Sequence, residues 1–383
     1  MSALASITAA PRTAPARLTV DPAAIAANAR EIASRTDAVV MAVVKADGFG
    51  HGAVTVARTA LANGATWLGV TSLAEGIALR EAGLTAPVLS WLNPVAADWT
   101  AAVAAGIDVA IGSLAHLEAL LATPSTDGAR VHLHLDTGMA RDGAEPSAWV
   151  SLCRTARRAE QCGRIRVVGL MGHLPCAGDP AHPANTTGRT RFAWGLGAAR
   201  EAGLRPEHRH LAATAATLTD RRSHHTLVRV GAGLVGIDPS ATTPLAGALT
   251  LTAPLVAVRR VRGGTGVGYD HTWTAPGPTT LGLLPLGYAD GLPRVASGRA
   301  EVVVRGRRRP LVGLISMDQA VVDLGNDTAE PGEQVTVLGP GTHGEPTIHD
   351  WAGWSGTLPH EIVTGLGARA ERVVLRQGPR GLA

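Results

Sequence analysis

The sequence predicts an α/β fold: a (β/α)₈ TIM barrel followed by a mainly β C-terminal domain. Three observations carry this. Eight short apolar runs alternate with helical patterns up to about residue 230, the rhythm of a parallel sheet whose strands are each covered by a helix. Beyond about residue 247 the helical stretches thin out, and Val- and Leu-rich runs alternate with Gly/Pro turns. Between the two lies a Pro/Ser/Thr-rich segment, 238–246, that suits a linker. With 383 residues the chain exceeds the usual size of one domain, and the expected division is 1–244 for the barrel and 245–383 for the β domain.

A strand-like stretch at 17–20 and a helix at 22–34 come first. The eight barrel strands are expected at 38–44, 67–71, 88–91, 109–112, 131–136, 165–171, 208–211 and 227–230. Helices are expected between them at 53–63, 73–82, 114–121, 147–159 and 189–202, many opening at or just after Ser, Thr or Asp. In the second domain, strands are expected at 280–286, 301–304 and 334–338. The arginine cluster at 305–310 sits between Val302-Val303-Val304 and Leu311-Val312, which makes it a solvated hairpin turn.

The formal charge of +4 comes from dispersed arginines, and two phenylalanines and two tyrosines give no stacking surface, so a nucleic-acid partner is discounted. Cys153, Cys162 and Cys176 are too few for a disulfide framework and match no metal-binding spacing, which fits a reducing, cytoplasmic setting and no bound metal. The Ala/Ser/Thr-rich leader, 1–17, lacks the positive and apolar regions of a secretion signal. No stretch approaches membrane-spanning length.

Lys45 is the one lysine in the chain, against a large arginine complement. It stands in Ala42-Val43-Val44-Lys45-Ala46-Asp47-Gly48-Phe49-Gly50-His51-Gly52, a buried strand running into a glycine-rich turn. Arginine supplies charge and hydrogen bonds at least as well, but only a primary amine condenses with a carbonyl. The retained lysine is therefore read as chemical; the bland alternative, a surface survivor of arginine bias, does not fit the apolar run before it. A barrel places its working residues after the carboxyl ends of its strands. Lys45, Arg141, His173, Thr214 and the Arg229-Val230-Gly231 run all fall there.

The lysine segment resembles the lysine motif of the alanine racemases, a family of fold type III pyridoxal-phosphate enzymes. Asp136-Thr137-Gly138-Met139-Ala140-Arg141, Arg229-Val230-Gly231, Gly287-Tyr288-Ala289-Asp290-Gly291 and Met317-Asp318-Gln319 follow in family order. The resemblance implies a pyridoxal 5′-phosphate enzyme that interconverts L- and D-alanine, the D-isomer serving cell-wall precursors. It implies that Lys45 and Tyr269 are the two catalytic bases, one on each face of the substrate's Cα. It assigns Thr214 and Gly231 to the cofactor phosphate, Arg229 to the ring nitrogen and His173 to a link with Arg229. Arg141, Tyr288 and the backbone N–H of Met317 would take the small amino-acid substrate, with Asp318 anchoring that loop. Tyr269 would come from the second domain of a neighbouring copy in a head-to-tail homodimer. A phenol titrates near 10, so its anion must be favoured by a positive neighbour, and His173 is the candidate.

The chain departs from the family pattern around the cofactor. Phe49 and His360 stand where tyrosines donate to the phosphate; His360 keeps a donor and Phe49 does not. Ala213 replaces an asparagine, Thr214 a serine and Ser316 a cysteine, and Trp91 and Val235 differ in size from common choices. His134 replaces a lysine that is usually carbamylated and steadies Arg141. The expectation here is a small anion bridging His134 and Arg141. Alternatives remain open at this stage: a racemase of another small amino acid, a cofactor-binding protein without racemase activity, or a related decarboxylase, against which Tyr269 and Met317-Asp318-Gln319 argue.

Overall fold

The computed structural model describes residues 16–376, so the leader up to residue 15 lies outside the described residues. Two compact units are present, one formed by Pro22–Ala246 and the other by the segments on either side of it.

In the first unit, eight strands pair in the order β8-β7-β6-β5-β4-β3-β2-β9: β2 (Val39–Val43), β3 (Ala65–Val70), β4 (Val88–Ser90), β5 (Ile107–Ile111), β6 (Ala129–His134), β7 (Ile165–Met171), β8 (His208–His210) and β9 (Leu227–Val230). All seven ladders are parallel. The ring closes between β8 and β9, where Thr226 N donates to Arg209 O (3.1 Å) and Arg229 N to Ala212 O (3.0 Å). Strands of this kind are buried on both faces, which is why they read as continuous apolar runs rather than alternating ones. Inside the ring, Met41, Trp67, Leu89, Ala110, Met171 and Leu227 pack together, with Trp91 against them.

The helices between the strands are α1 (Pro22–Ser34), a five-residue turn α2 (Lys45–Phe49), α3 (Ala53–Leu61), α4 (Leu73–Glu81), α5 (Trp99–Ala104), α6 (Leu114–Ala122), α7 (Pro146–Gln161), α8 (Pro183–Glu201) and α9 (Thr214–Thr219). Caps explain several of their starts. Ser72 and Glu75 form a reciprocal capping box on α4, while Asp98 caps α5 and Ser113 caps α6. The long α8 begins at Pro183, well before the start expected from apolar spacing, because Pro at the first helical turn loses no hydrogen bond there.

The second unit is a nine-stranded sheet in the order β11-β14-β17-β16-β15-β18-β10-β1-β19, with β1 (Arg17–Val20), β10 (Leu249–Pro254), β11 (Ala257–Val261), β14 (Thr279–Leu284), β15 (Glu301–Val304), β16 (Arg307–Val312), β17 (Ala320–Gly325), β18 (Gln334–Leu338) and β19 (Glu371–Val374). A two-stranded ribbon, β12 (Gly266–Val267) and β13 (Trp273–Thr274), accompanies it. Although β1 precedes the barrel in the chain, it pairs antiparallel with β10 and parallel with β19. The sequence division had placed this strand with the barrel; strand pairing is non-local, and four residues carry no signal of their partner. Two helices, α10 (Ile348–Ser355) and α11 (Pro359–Gly365), complete the unit. The buried Trp351 of α10 donates its indole N–H to Val337 O (2.9 Å).

The arginine cluster forms the expected hairpin. Arg305 and Gly306 turn between β15 and β16 with φ of 51° and 72°, the positive values of a tight two-residue connection. Four carboxylates face it: Glu333 pairs with Arg305, Asp327 with Arg307 and Arg309, and Glu301 and Asp350 with Arg308.

The segment read as a loose linker is tied down. Asp238 accepts from the backbone N–H groups of Ser240, Thr242 and Thr243, and at its far end Ala246 exchanges two hydrogen bonds of 2.8 Å with the Asn28 side chain. Asn28 is buried in α1 and donates further to Leu234 O (3.2 Å). Asn28→Ala should therefore destabilise the protein by about 1–3 kcal/mol, because Ala246 N–H and two carbonyls lose their partner together. Urea denaturation measures this, and an unchanged midpoint would show that the segment is held elsewhere.

Candidate active site

Lys45 follows directly on β2, at the carboxyl end of the barrel. The chain after it turns in the left-handed sense: φ is 51° at Ala46, 51° at Asp47, 63° at Gly48, 57° at Phe49 and 78° at Gly50. Non-glycine residues pay roughly 1–2 kcal/mol each for this conformation, so the surroundings must impose it. Glu75 does so from α4. Its Oε1 accepts from Ala46 N (2.7 Å), and its Oε2 accepts from Thr71 N, Thr71 Oγ1 and Ser72 N. Asp47 Oδ1 accepts from Ala53 N (2.8 Å) and so joins the turn to α3. Burial alone would raise the Glu75 carboxyl, but these N–H and O–H donors outweigh it and hold the group below the usual range.

Burial, followed by the charge of Arg141, lowers the Lys45 amine from its ordinary value; Glu75 pulls it back up and Arg229 lowers it further. The mouth of the barrel thus gathers two cationic side chains around one amine.

Arg229, in β9, is buried. Its Nη1 donates to His210 O (2.9 Å) and lies 3.0 Å from His210 Nδ1; its Nη2 donates to Gly172 O (2.7 Å) and lies 3.2 Å from His173 Nδ1. Burial brings its pKa down to about 10, so it stays charged at neutral pH. A guanidinium only donates, so both imidazole Nδ1 atoms must accept. His173 is then left with its proton on Nε2. Burial first, and the Arg229 charge second, push the His173 pKa down to about 3. This corrects the expectation that His173 is a positive neighbour: at neutral pH it is an uncharged donor.

Thr214 opens α9 and its Oγ1 accepts from Gly233 N (3.2 Å), joining the loops that follow β8 and β9. At Gly231 a Cβ would stand 2.7 Å from the Phe49 ring and 3.1 Å from Val43 O. Phe49 therefore lies as an apolar wall against that loop, beneath the left-handed turn.

Arg141 lies in the loop between β6 and α7. Asp136 Oδ1 folds this loop by accepting from Gly138 N, Met139 N and Ala140 N, and the Thr137 hydroxyl is locked to His173 by donating to its carbonyl (2.6 Å) and accepting from its N–H (3.0 Å). Asp142 Oδ2 faces His134 Nδ1 at 3.4 Å, within ion-pair range though longer than a good hydrogen bond. Against the opposing effect of burial, His134 holds the Asp142 carboxyl below its usual range. An acidic side chain of the same loop therefore faces the imidazole, and the anion bridging His134 and Arg141 stays an expectation.

Five expected residues lie in the other unit. Tyr269 occupies the tip of the β12–β13 ribbon and is 67% exposed. Tyr288 and Met317 are brought together: Tyr288 N donates to Ser316 O (3.0 Å) and Ala289 N to Met317 O (2.9 Å), and a side chain at Gly287 would collide with the Ser316 and Met317 carbonyls. Arg369 pairs with both Asp318 (2.7 Å) and Asp290 (3.3 Å), so Asp318 does anchor its loop. His360 sits in the first turn of α11, half-buried.

Several groups escaped the sequence reading. Glu75 was visible as half of a Ser72–Glu75 capping box, but its reach to Ala46 was not. Asp142, Asp108, His132 and His210 carried no local signal.

Similarity to known proteins agrees with this geometry. The family described as alanine racemase, N-terminal domain, matches residues 20–239, and alanine racemase, C-terminal domain, matches residues 248–374. The alanine racemase of Thermobifida fusca is 45% identical over 366 residues, covering 94% of this chain and 97% of its own. The crystal structure of alanine racemase from D-cycloserine-producing Streptomyces lavendulae superposes with a TM-score of 0.93 at 39% identity, covering 96% of this chain and 98% of that one. The alanine racemase of Bartonella henselae, solved with covalently bound pyridoxal phosphate, gives a TM-score of 0.85 at 27% identity over 94% of this chain and 100% of its own. This chain belongs to the alanine racemase family.

Proposed function

We propose that the chain interconverts L- and D-alanine with pyridoxal 5′-phosphate seated at the mouth of the barrel. The observation that carries this is the sole lysine, its amine pKa depressed, standing at the carboxyl end of β2 among Arg141 and Arg229. The residues present fit the group: an amine for its carbonyl, the Thr214 hydroxyl and the Gly231 loop for its phosphate, and Arg229 for its ring nitrogen. Gly231 is the cradle, because a side chain there would strike Phe49. When bound, pyridoxal phosphate supplies the carbonyl that the amine condenses with and a ring that acidifies the substrate's Cα–H.

The chain's own residues divide the remaining work. Inversion removes a proton from one face of Cα and returns one to the other. Lys45 Nζ, already inclined to the neutral form, takes or gives the proton on one face. The partner subunit's Tyr269 serves the other face in a head-to-tail homodimer, a reading supported by the exposure of Tyr269 and by the barrel unit having no tyrosine of its own. His173 Nε2–H then favours the phenolate by donating to it rather than by charge. Arg229 stays protonated and cannot give its proton to a ring nitrogen, which keeps negative charge close to Cα and favours prompt return of the proton. Arg141 and Met317 N–H take the substrate carboxylate, Tyr288 keeps the pocket small, and His360 adds a phosphate donor that Phe49 lacks. In this reading the Pro22–Ala246 unit is the cofactor domain and the other unit completes the partner's site. The setting is cytoplasmic, and the D-alanine feeds cell-wall precursors. No helix among the described residues is long and apolar enough to cross a membrane.

Chiral analysis of a panel of L-amino acids incubated with protein and pyridoxal phosphate tests the activity directly. D-Alanine should form fastest, and no inversion of any substrate would refute the proposal. Mixing the inactive Lys45→Ala and Tyr269→Phe variants should restore about a quarter of the sites if dimers exchange at random. No recovery would place both residues within one subunit.

Because Lys45 is unique, reductive ¹³C-methylation labels it without ambiguity beyond the chain terminus. Its NMR titration midpoint should lie below the ordinary lysine value of 10.5, and Arg141→Gln should move it upward by removing a like charge. For stability the sign is fixed: the folded amine binds fewer protons than the unfolded one between the two pKa values. Stability from this group therefore rises with pH across that window.

A further inference from the structure

Arg229 is one end of a polar chain that runs down the inside of the barrel. His210 Nδ1 lies 3.0 Å from Arg229 Nη1, His210 Nε2 lies 2.8 Å from His132 Nδ1, and His132 Nε2 lies 3.3 Å from Asp108 Oδ2. Arg229, His210, His132 and Asp108 are all at most 5% exposed. Asp108 is the second residue of β5 and so stands near the amino end of the strands, opposite the end that carries Lys45. At that end Arg130 Nε donates to its other oxygen, Oδ1 (2.8 Å). The barrel makes room for the chain at Gly169 of β7, where a Cβ would collide with the His132 ring. Trp67 and His208 pack against the histidines edge-on and stacked, without entering the sequence of hydrogen bonds.

Donor and acceptor rules give this chain one direction. Arginine only donates, so His210 Nδ1 accepts and its proton sits on Nε2. That proton must go to His132 Nδ1, so His132 also carries its proton on Nε2, where an ionised carboxylate receives it. Each bond agrees with the next only because one end cannot accept and the other cannot donate. Burial, partly offset by Asp108 at His132 and reinforced by Arg229 at His210, lowers both imidazole pKa values, so both rings remain neutral.

We propose that Asp108 is a positioning residue: it fixes the tautomers of His132 and His210 and thereby aligns the Arg229 guanidinium at the far end of the barrel. This rests on the proposed role of Arg229 at the cofactor. An asparagine at 108 would be held by Arg130 with its oxygen toward Nε of that arginine and its NH₂ toward His132. His132 Nε2 would then have to accept, its proton would move to Nδ1, and there it would oppose the His210 proton. Removing Arg130 as well would free the asparagine to turn its oxygen back to His132.

The experiment is ¹⁵N NMR of histidine-labelled protein, reading the tautomer of each ring from long-range ¹H–¹⁵N correlations assigned with His132→Gln and His210→Gln. The protein itself should show Nε2–H tautomers at both positions near neutral pH. Asp108→Asn should shift His132 to Nδ1–H and lower kcat on the order of tenfold to a hundredfold, with a smaller effect on KM. Asp108→Asn with Arg130→Ala should restore both the tautomer and most of kcat, whereas Arg130→Ala alone should change little. An Nδ1–H tautomer at His132 in the unsubstituted protein would overturn the proposal even if Asp108→Asn does not fold. So would an Asp108→Asn protein with unaltered tautomers, or a double variant no better than the single one. The tautomer measurement needs neither cofactor nor turnover. A tautomer response without racemisation would therefore sink the proposed function and leave the role of Asp108 standing.

Discussion

A buried guanidinium with no carboxylate beside it is the constraint around which the barrel's active end is arranged. Removing an arginine from water costs several kcal/mol unless its donors are met. Here they are met by the carbonyls of Gly172 and His210 and by two imidazole nitrogens. Those carbonyls belong to the ends of β7 and β8, so the cation fixes the strand ends as much as they fix it. The imidazoles receive protons they cannot refuse, and their tautomers follow. A lysine there would keep the charge but lose the planar fork that addresses both neighbours at once.

The second constraint is backbone strain. Five successive residues after Lys45 take left-handed values, and the turn persists because Glu75 and Asp47 accept the N–H groups that an ordinary helical turn would have used otherwise. The same carboxylate of Glu75 is the one negative charge that raises the Lys45 amine, while Arg141 and Arg229 lower it. Shape and proton affinity at this position therefore have a common source. The strained turn also brings the Phe49 ring against Gly231, so the loop after β9 is positioned by packing rather than by a hydrogen bond from that side chain.

Much of this was legible in the sequence, for identifiable reasons. Strands buried on both faces leave unbroken apolar runs, so all eight barrel strands were expected within a few residues of where they lie. The chemistry of Lys45 stood out because arginine had displaced lysine everywhere else. What was not legible depends on distance through space. The pairing of β1 with β10 and β19 joins segments more than two hundred positions apart. The far end of 238–246 is held by Asn28 in α1, invisible in a segment whose composition suits a linker. The charge of His173 was misjudged because its proton affinity is set by burial and by Arg229, neither of which shows in Gly172-His173-Leu174. Asp142, eight residues on from His134, had no reason to be connected with it until the loop folded back.

The neutrality of His173 changes how a phenol could be activated here. A protonated imidazole would add a fourth positive charge to a mouth already holding Lys45, Arg141 and Arg229, which burial and those charges oppose. A neutral imidazole avoids this. It still carries a directed N–H, and its orientation is set because Arg229 occupies its other nitrogen and Thr137 grips its backbone from both sides. The stabilisation of an approaching phenolate then depends on geometry rather than on net charge, and it does not vanish as pH rises through the range where histidines ordinarily titrate. A site built this way keeps its positive charge for the phosphate and carboxylate it must hold, and leaves proton traffic to the amine and the phenol.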